Sequence, residues 1–276
     1  MTPANDDEQD LTRKERREQA RTERKAAEEA HAAGAARRAR MTQLGAVVGV
    51  VIVAIVVILI ATGGGSKTNH ATGNAHSKES VQQQSAVSKL IGGIDQKGNI
   101  LGKETAPVTM AYFGDLECPF CREFTIKALP TLIQKYVRTG KLRLEYRSLE
   151  TATREPEVFR DQQVAALAAG KQNKMWDYVE LFYHEQGEED SGYVTEEYLH
   201  NLAAQVSGLN VGTWNTDRQE GGLANQVQED AQLANQQGFT GTPSFLIGHT
   251  GGAMQKFEPG SLTDASAFEP TIEKLI

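Results

Sequence analysis

Val108-Thr109-Met110-Ala111-Tyr112-Phe113-Gly114-Asp115-Leu116-Glu117-Cys118-Pro119-Phe120-Cys121 is the stretch that decides the fold of this chain. Its apolar, β-branched and aromatic first half reads as a buried strand, and Pro119 opens a helix at a position where a missing N–H costs nothing. Cys118 and Cys121 are the only two cysteines. A disulfide framework needs several pairs, and a closed zinc site needs four ligands. Two thiols one helical turn apart can form and break a bond with each other. The first attacks, and the second releases the mixed disulfide. The helix N-terminus stabilises a thiolate at Cys118, whereas Cys121 lies one turn in, with less access to solvent. Asp115 and Glu117 oppose that thiolate and Arg122 favours it, so the sequence leaves the balance unsigned.

Outward from this motif the pattern is that of a mixed α/β layer. Residues 93–102 read as an edge hairpin turning at Lys97-Gly98-Asn99, followed by a strand over 107–113 and a helix over 118–138 kinked at Pro130. Leu142, Leu144 and Tyr146 alternate with Arg143, Glu145 and Arg147, a half-buried strand. Residues 156–236 run helically, with Val164, Leu167 and Ala168, then Trp176, Val179 and Phe182 or Tyr183, at three- and four-residue spacing. A strand returns at Ser244-Phe245-Leu246-Ile247, a second lies near 253–257, and a helix from Leu262 to Ile276 ends the chain. Strand–helix–strand, a helical block, then a hairpin and a last helix make an α/β layer with an all-helical insertion.

The N-terminal part is different material. The net charge of −7 belongs to the folded region, because residues 1–43 are nearly balanced and 44–62 carry no charge. An acidic domain argues against a nucleic-acid surface. The uncharged run of nineteen residues from Leu44 to Thr62 spans about 28 Å as a helix, which is the thickness of a bilayer core. It shows no polar face, follows a long leader and precedes no Ala-x-Ala, so a retained transmembrane helix is expected rather than a cleaved signal. Arg37, Arg38 and Arg40 before it, against Lys67 after it, place residues 1–43 in the cytoplasm and the cysteines outside. That compartment lets disulfides persist. Residues 63–88 are rich in Gly, Ser, Asn, Gln and Thr without an aromatic, and are expected to be a flexible linker.

Phe113-Gly114-Asp115-Leu116-Glu117-Cys118-Pro119-Phe120-Cys121 together with Gly241-Thr242-Pro243-Ser244-Phe245 resembles the DsbA-like branch of the thioredoxin fold, and in particular its membrane-anchored bacterial members. The resemblance covers residues 89–276. It implies a thioredoxin-like fold, residues 89–155 and 237–276, interrupted by the helical insertion and preceded by the single transmembrane helix. It implies a protein thiol–disulfide oxidoreductase with Cys118 and Cys121 catalytic, a cis Pro243 lying against them, and Thr242 and Pro243 meeting substrate; Phe120, between the cysteines, reads separately as an apolar substrate contact. No cofactor and no metal are expected. The partners implied are thiol-containing exported proteins, a membrane redox partner for re-oxidation, and the bilayer through residues 44–62. Phe120 stands where the strongly oxidising prototype has histidine, which implies a milder oxidant. Tyr112 stands where the family carries a buried carboxylate, which puts that group's proton-shuttling role in doubt.

Blander readings compete at each point. The cysteine pair could be half of a zinc site shared across a dimer, with His249, or a structural disulfide. Glu185, Glu188, Glu189 and Asp190 could gather around calcium, although a solvated loop is the default. Phe113, Trp176 and Tyr183 read as core. As functions, a disulfide-forming oxidase stands beside a reductase or isomerase of the same fold, and beside a tethered binding protein for unfolded chains with an incidental disulfide.

Overall fold

The computed structural model describes residues 78–276. The charged tail, the span expected at 44–62 and the linker up to residue 77 lie outside the described residues. Among the described residues no helix is long and apolar enough to cross a membrane.

The centre of the fold is strand β3, Val108–Gly114, in which every residue is buried. It earns that burial by pairing on both sides: parallel to β4, Leu142–Ser148, and antiparallel to β5, Ser244–His249. Before it come β1, Gln96–Lys97, and β2, Ile100–Leu101, and last comes β6, Gln255–Phe257. The six strands lie in the order β1-β2-β4-β3-β5-β6. On β4, Leu142, Leu144, Tyr146 and Ser148 are buried while Arg143, Glu145 and Arg147 are half-buried, the alternation of a sheet with one drier face. Tyr112, Phe124, Tyr146, Phe245 and Phe268 interlock on one face in mostly edge-on contacts. Ala111, Phe113, Leu149, Phe239 and Leu246 make a smaller core on the other face.

Two departures from the sequence expectation concern helices. The first is α1, Lys78–Ile91, where a flexible linker is expected up to residue 88. Val87 and Ile91, one turn apart, are buried, and Gln84 donates to Gln205 at 3.2 Å. Most of its other residues are polar and Val81 is exposed, so composition hides a helix held by a short apolar edge of Val87, Leu90 and Ile91. The second is α2, residues 119–137, where a single kink at Pro130 is expected. Instead α-helical Pro119–Glu123 and Leu129–Leu132 alternate with π-helical Phe124–Ala128 and Ile133–Val137. Leu129 N–H reaches back five residues to Phe124 O. Pro130 has no N–H to offer the turn before it, and the wider π turn absorbs the break.

Between β4 and β5 run five helices: α3, Pro156–Lys171; α4, Met175–His184; α5, Glu196–Gln205; α6, Val211–Asp217; and α7, Gly221–Gln236. Hydrogen bonds to the sheet and its first hairpin hold two of them. Asp230 of α7 accepts from Arg147 at 2.7 Å and from Ser148 N at 2.9 Å, and Trp176 Nε1 of α4 donates to Asn99 O at 2.9 Å. The final helix, α8, Glu269–Leu275, starts later than the expected Leu262, after a 3-10 turn Ala265–Ala267 capped by Asp264.

Candidate active site

The carboxyl end of β3 delivers the site. Gly114 closes the strand because a Cβ there would sit 3.0 Å from both the Tyr146 ring and the Tyr183 hydroxyl. Asp115 follows, fully buried, with its carboxylate accepting five hydrogen bonds: Glu117 N and Thr153 Oγ1 on Oδ1, and Thr151 N, Ala152 N and Thr153 N on Oδ2, all between 2.7 and 3.1 Å. Three successive amides on one oxygen form an anion nest, so Asp115 spends its charge on the loop after β4. The sequence reading of Asp115 as a charge opposing the thiolate misses this.

Cys118 then occupies the N-cap of α2 with extended backbone, φ −70° and ψ 120°, and Pro119 begins the first turn. Both cysteines are free thiols. Cys121 is completely buried, and Cys118 is only 4% exposed, so the attacking sulfur has a narrow approach rather than an open face. Cys118 Sγ donates to Thr242 O at 3.4 Å across the loop entering β5. The Thr242–Pro243 peptide bond is cis, as the resemblance implies. Phe120 projects from the same rim and is 65% exposed, among the described residues the one largely exposed aromatic side chain beside the cysteines. The structure thus brings Cys118, Cys121, Thr242 and Phe120 to one end of the sheet.

The two thiols are driven apart electrostatically. Cys118 is lowered from 9.0 to about 7, chiefly by a hydrogen bond from the Cys121 thiol, with the Thr242 hydroxyl and the amides of Cys121 and Phe120 adding to it against burial. Cys121 is pushed well above its ordinary value, first by burial and then by its neighbour. Arg122 is engaged elsewhere, its Nε donating to Tyr183 O at 3.0 Å, and it is not among the main causes of the lowered Cys118. Glu117, 3% exposed, is raised to about 7, mainly by burial and against a hydrogen bond with Thr153.

Behind Cys121 lie tyrosines. Tyr112 OH donates to Tyr183 OH at 3.0 Å, which donates to Asp115 O at 3.1 Å. Burial raises Tyr112, Tyr146 and Tyr183 well above the ordinary tyrosine range, so this side of the site holds neutral hydroxyls that accept no proton at neutral pH. Tyr183, read from sequence as core, is both core and part of this wall. Gln186, just after α4, donates to Leu116 O at 2.7 Å and Cys118 O at 3.1 Å, so the helical insertion grips the motif itself. No local pattern announces Gln186 or Thr151, because each acts through a partner dozens of residues away. The four acidic residues considered for calcium do not gather: Glu185 turns inward to Gln205, while Asp190 pairs with Arg154 at 2.6 Å.

A buried dithiol couple at a helix N-cap, beside a cis-proline loop on a thioredoxin-like sheet, defines a protein thiol–disulfide oxidoreductase of DsbA-like architecture. The chain belongs to the thioredoxin family, whose model matches residues 95–258. It is 28% identical over 154 residues to the probable disulfide bond formation protein D of Bacillus anthracis, an alignment covering 53% of this chain and 68% of that one. With the disulfide bond formation protein D of Bacillus subtilis it shares 24% over 155 residues, 54% of this chain and 66% of that one. Among solved structures, oxidised BdbD of Bacillus subtilis superposes with a TM-score of 0.55 at 22% identity, covering 66% of this chain and 96% of that one. The alpha-DsbA1 of Wolbachia pipientis superposes with a TM-score of 0.51 at 21% identity, covering 67% of this chain and 91% of that one.

Proposed function

We propose that this chain is a membrane-tethered, extracytoplasmic oxidoreductase that forms disulfides in exported proteins through the Cys118/Cys121 couple. In the oxidised state a substrate thiolate attacks Cys118 Sγ and expels Cys121, which takes a proton. A second substrate thiolate then attacks the substrate sulfur of the mixed disulfide and expels Cys118. The substrate leaves with a disulfide and the protein is left as the dithiol, two electrons richer. A membrane partner withdraws those electrons. The observation that carries this reading is the split between the thiols: a leaving group held near 7 departs readily, and a partner held far above stays protonated.

The tether rests on sequence, namely the uncharged run 44–62 with Arg37, Arg38 and Arg40 before it. Thr242 and Pro243 offer a client an edge to pair along, and Phe120 gives its apolar side chains a landing point. One feature favours the reductase or isomerase reading: a thiolate stabilised only to about 7 favours the reduced form less than a strongly depressed one does, which makes a milder oxidant. Re-oxidation of a reduced, unfolded secreted protein tests the proposal. The oxidised domain restores activity stoichiometrically and the Cys118→Ser variant does not. Equal recovery with Cys118→Ser sinks the redox role and leaves a binding protein, whereas rapid insulin reduction with poor thiol oxidation assigns the reductive direction.

A further inference from the structure

The loop after β4 touches the cis-proline loop at one side-chain contact. Thr151 Oγ1 and Thr242 Oγ1 are 2.5 Å apart, a short hydroxyl pair across 91 residues of sequence. Thr151 is exposed and would be free to rotate, but its own amide is pinned to Asp115 Oδ2 at 3.0 Å. Asp115 in turn is held by four further donors and sits three residues before Cys118 on the same chain. A continuous strap therefore runs from the end of β3, through the buried carboxylate and Thr151, to Thr242, whose carbonyl meets Cys118 Sγ.

We propose that Thr151 is a positioning residue for the attacking thiol: it donates its hydroxyl hydrogen to Thr242 Oγ1, which leaves the Thr242 hydrogen to point at the sulfurs. A hydroxyl has one hydrogen and two acceptor lone pairs. If Thr242 donated to Thr151, nothing would remain for a thiolate. With Thr151 as donor the two hydroxyls form a chain ending on sulfur, and each bond polarises the next. Thr242 already lies against Cys118, whose Sγ donates to its carbonyl oxygen at 3.4 Å, and its side chain is among the causes that lower Cys118. Asp115 makes the arrangement cheap to hold, because the amide it fixes belongs to the same residue as the donating hydroxyl. Thr151 touches no substrate and no sulfur. It acts only through Thr242.

This inference rests on Cys118 being the attacking thiol, and the test separates the two. The measurement is the pH profile of Cys118 alkylation in the reduced protein, in which Cys121 stays unmodified to far higher pH, beside Thr151→Val, Thr151→Ala and Thr151→Ser. Thr151→Val and Thr151→Ala are expected to raise the midpoint by about one unit and slow alkylation at pH 7 several-fold, with the limiting rate at high pH unchanged. Thr151→Ser restores the original profile. An unmoved midpoint in Thr151→Val and Thr151→Ala overturns the proposal. So does a shift that Thr151→Ser shares, since the effect would then come from packing and not from the hydroxyl. Alkylation of Cys121 ahead of Cys118 in the parent protein is a different result, and would strike at the choice of Cys118 rather than at Thr151.

Discussion

At the residue scale the two cysteines divide their work by burial and hydrogen bonding, and their ionisation makes the division measurable. In the reduced protein Cys118 is expected to alkylate with a midpoint near pH 7, while Cys121 stays unmodified to far higher pH. The same shift links to stability. A thiol lowered from 9.0 to about 7 adds stability that is complete above its unfolded value and is lost as pH falls through the folded one. The reduced form therefore gains on the oxidised form between pH 7 and 9, where the disulfide has no thiol to titrate; parallel urea curves for both forms across that range reveal the difference. Trapping gives an independent reading of roles. Cys121→Ser should accumulate mixed disulfides with client proteins and Cys118→Ser almost none, and equal trapping by both would undo the assignment. The motif and its order were readable from fourteen consecutive residues. The cause of the lowered thiol was not, because its strongest donor is the other cysteine and its supporting hydroxyl comes from Thr242.

At the scale of elements, local rules read the strands well and the helices less well. Strand β4 shows its buried and half-buried faces in its letters, since a period of two leaves little freedom once a core exists. Helix α1 shows little, because a short apolar edge of Val87, Leu90 and Ile91 in a mostly polar helix suffices when a finished core waits to receive it. Helix α4 hides something costlier. Glu180 is fully buried, neither carboxylate oxygen has a hydrogen-bond partner, and burial aided by Asp177 raises it to about 8. The unfolded chain ionises such a group near 4.5, so its contribution to stability is intact in acid and is lost as pH rises toward 8. The oxidised domain is expected to lose stability between pH 5 and 8, and Glu180→Gln to flatten that fall. Chemical unfolding at pH 5, 6.5 and 8 decides the matter: an unchanged slope in Glu180→Gln would mean that the carboxyl is ionised or solvated in the folded state. No periodicity marks Glu180, which sits in a helix whose other face is apolar.

At the scale of the whole molecule the proposed tether fixes where the chemistry happens. Protease added outside protoplasts should cut between residues 63 and 77, release a fragment carrying both cysteines, and leave residues 1–43 protected. Release of a fragment that begins just after residue 62 without protease would instead mean signal cleavage. The domain set free by such a cut starts at α1, and its sheet has one further property. Its outermost strands, Gln96–Lys97 and Gln255–Phe257, are two and three residues long, and Lys97 and Lys256 stand exposed on them. Long bare edges invite unfolded chains to dock by main-chain pairing and to grow into aggregates. In the proposed role, meeting half-folded polypeptide at a membrane surface, the domain would be most exposed to that hazard. Short, lysine-bearing margins would give such neighbours little to extend on, leaving the cis-proline loop beside the sulfurs as the place where a client pairs.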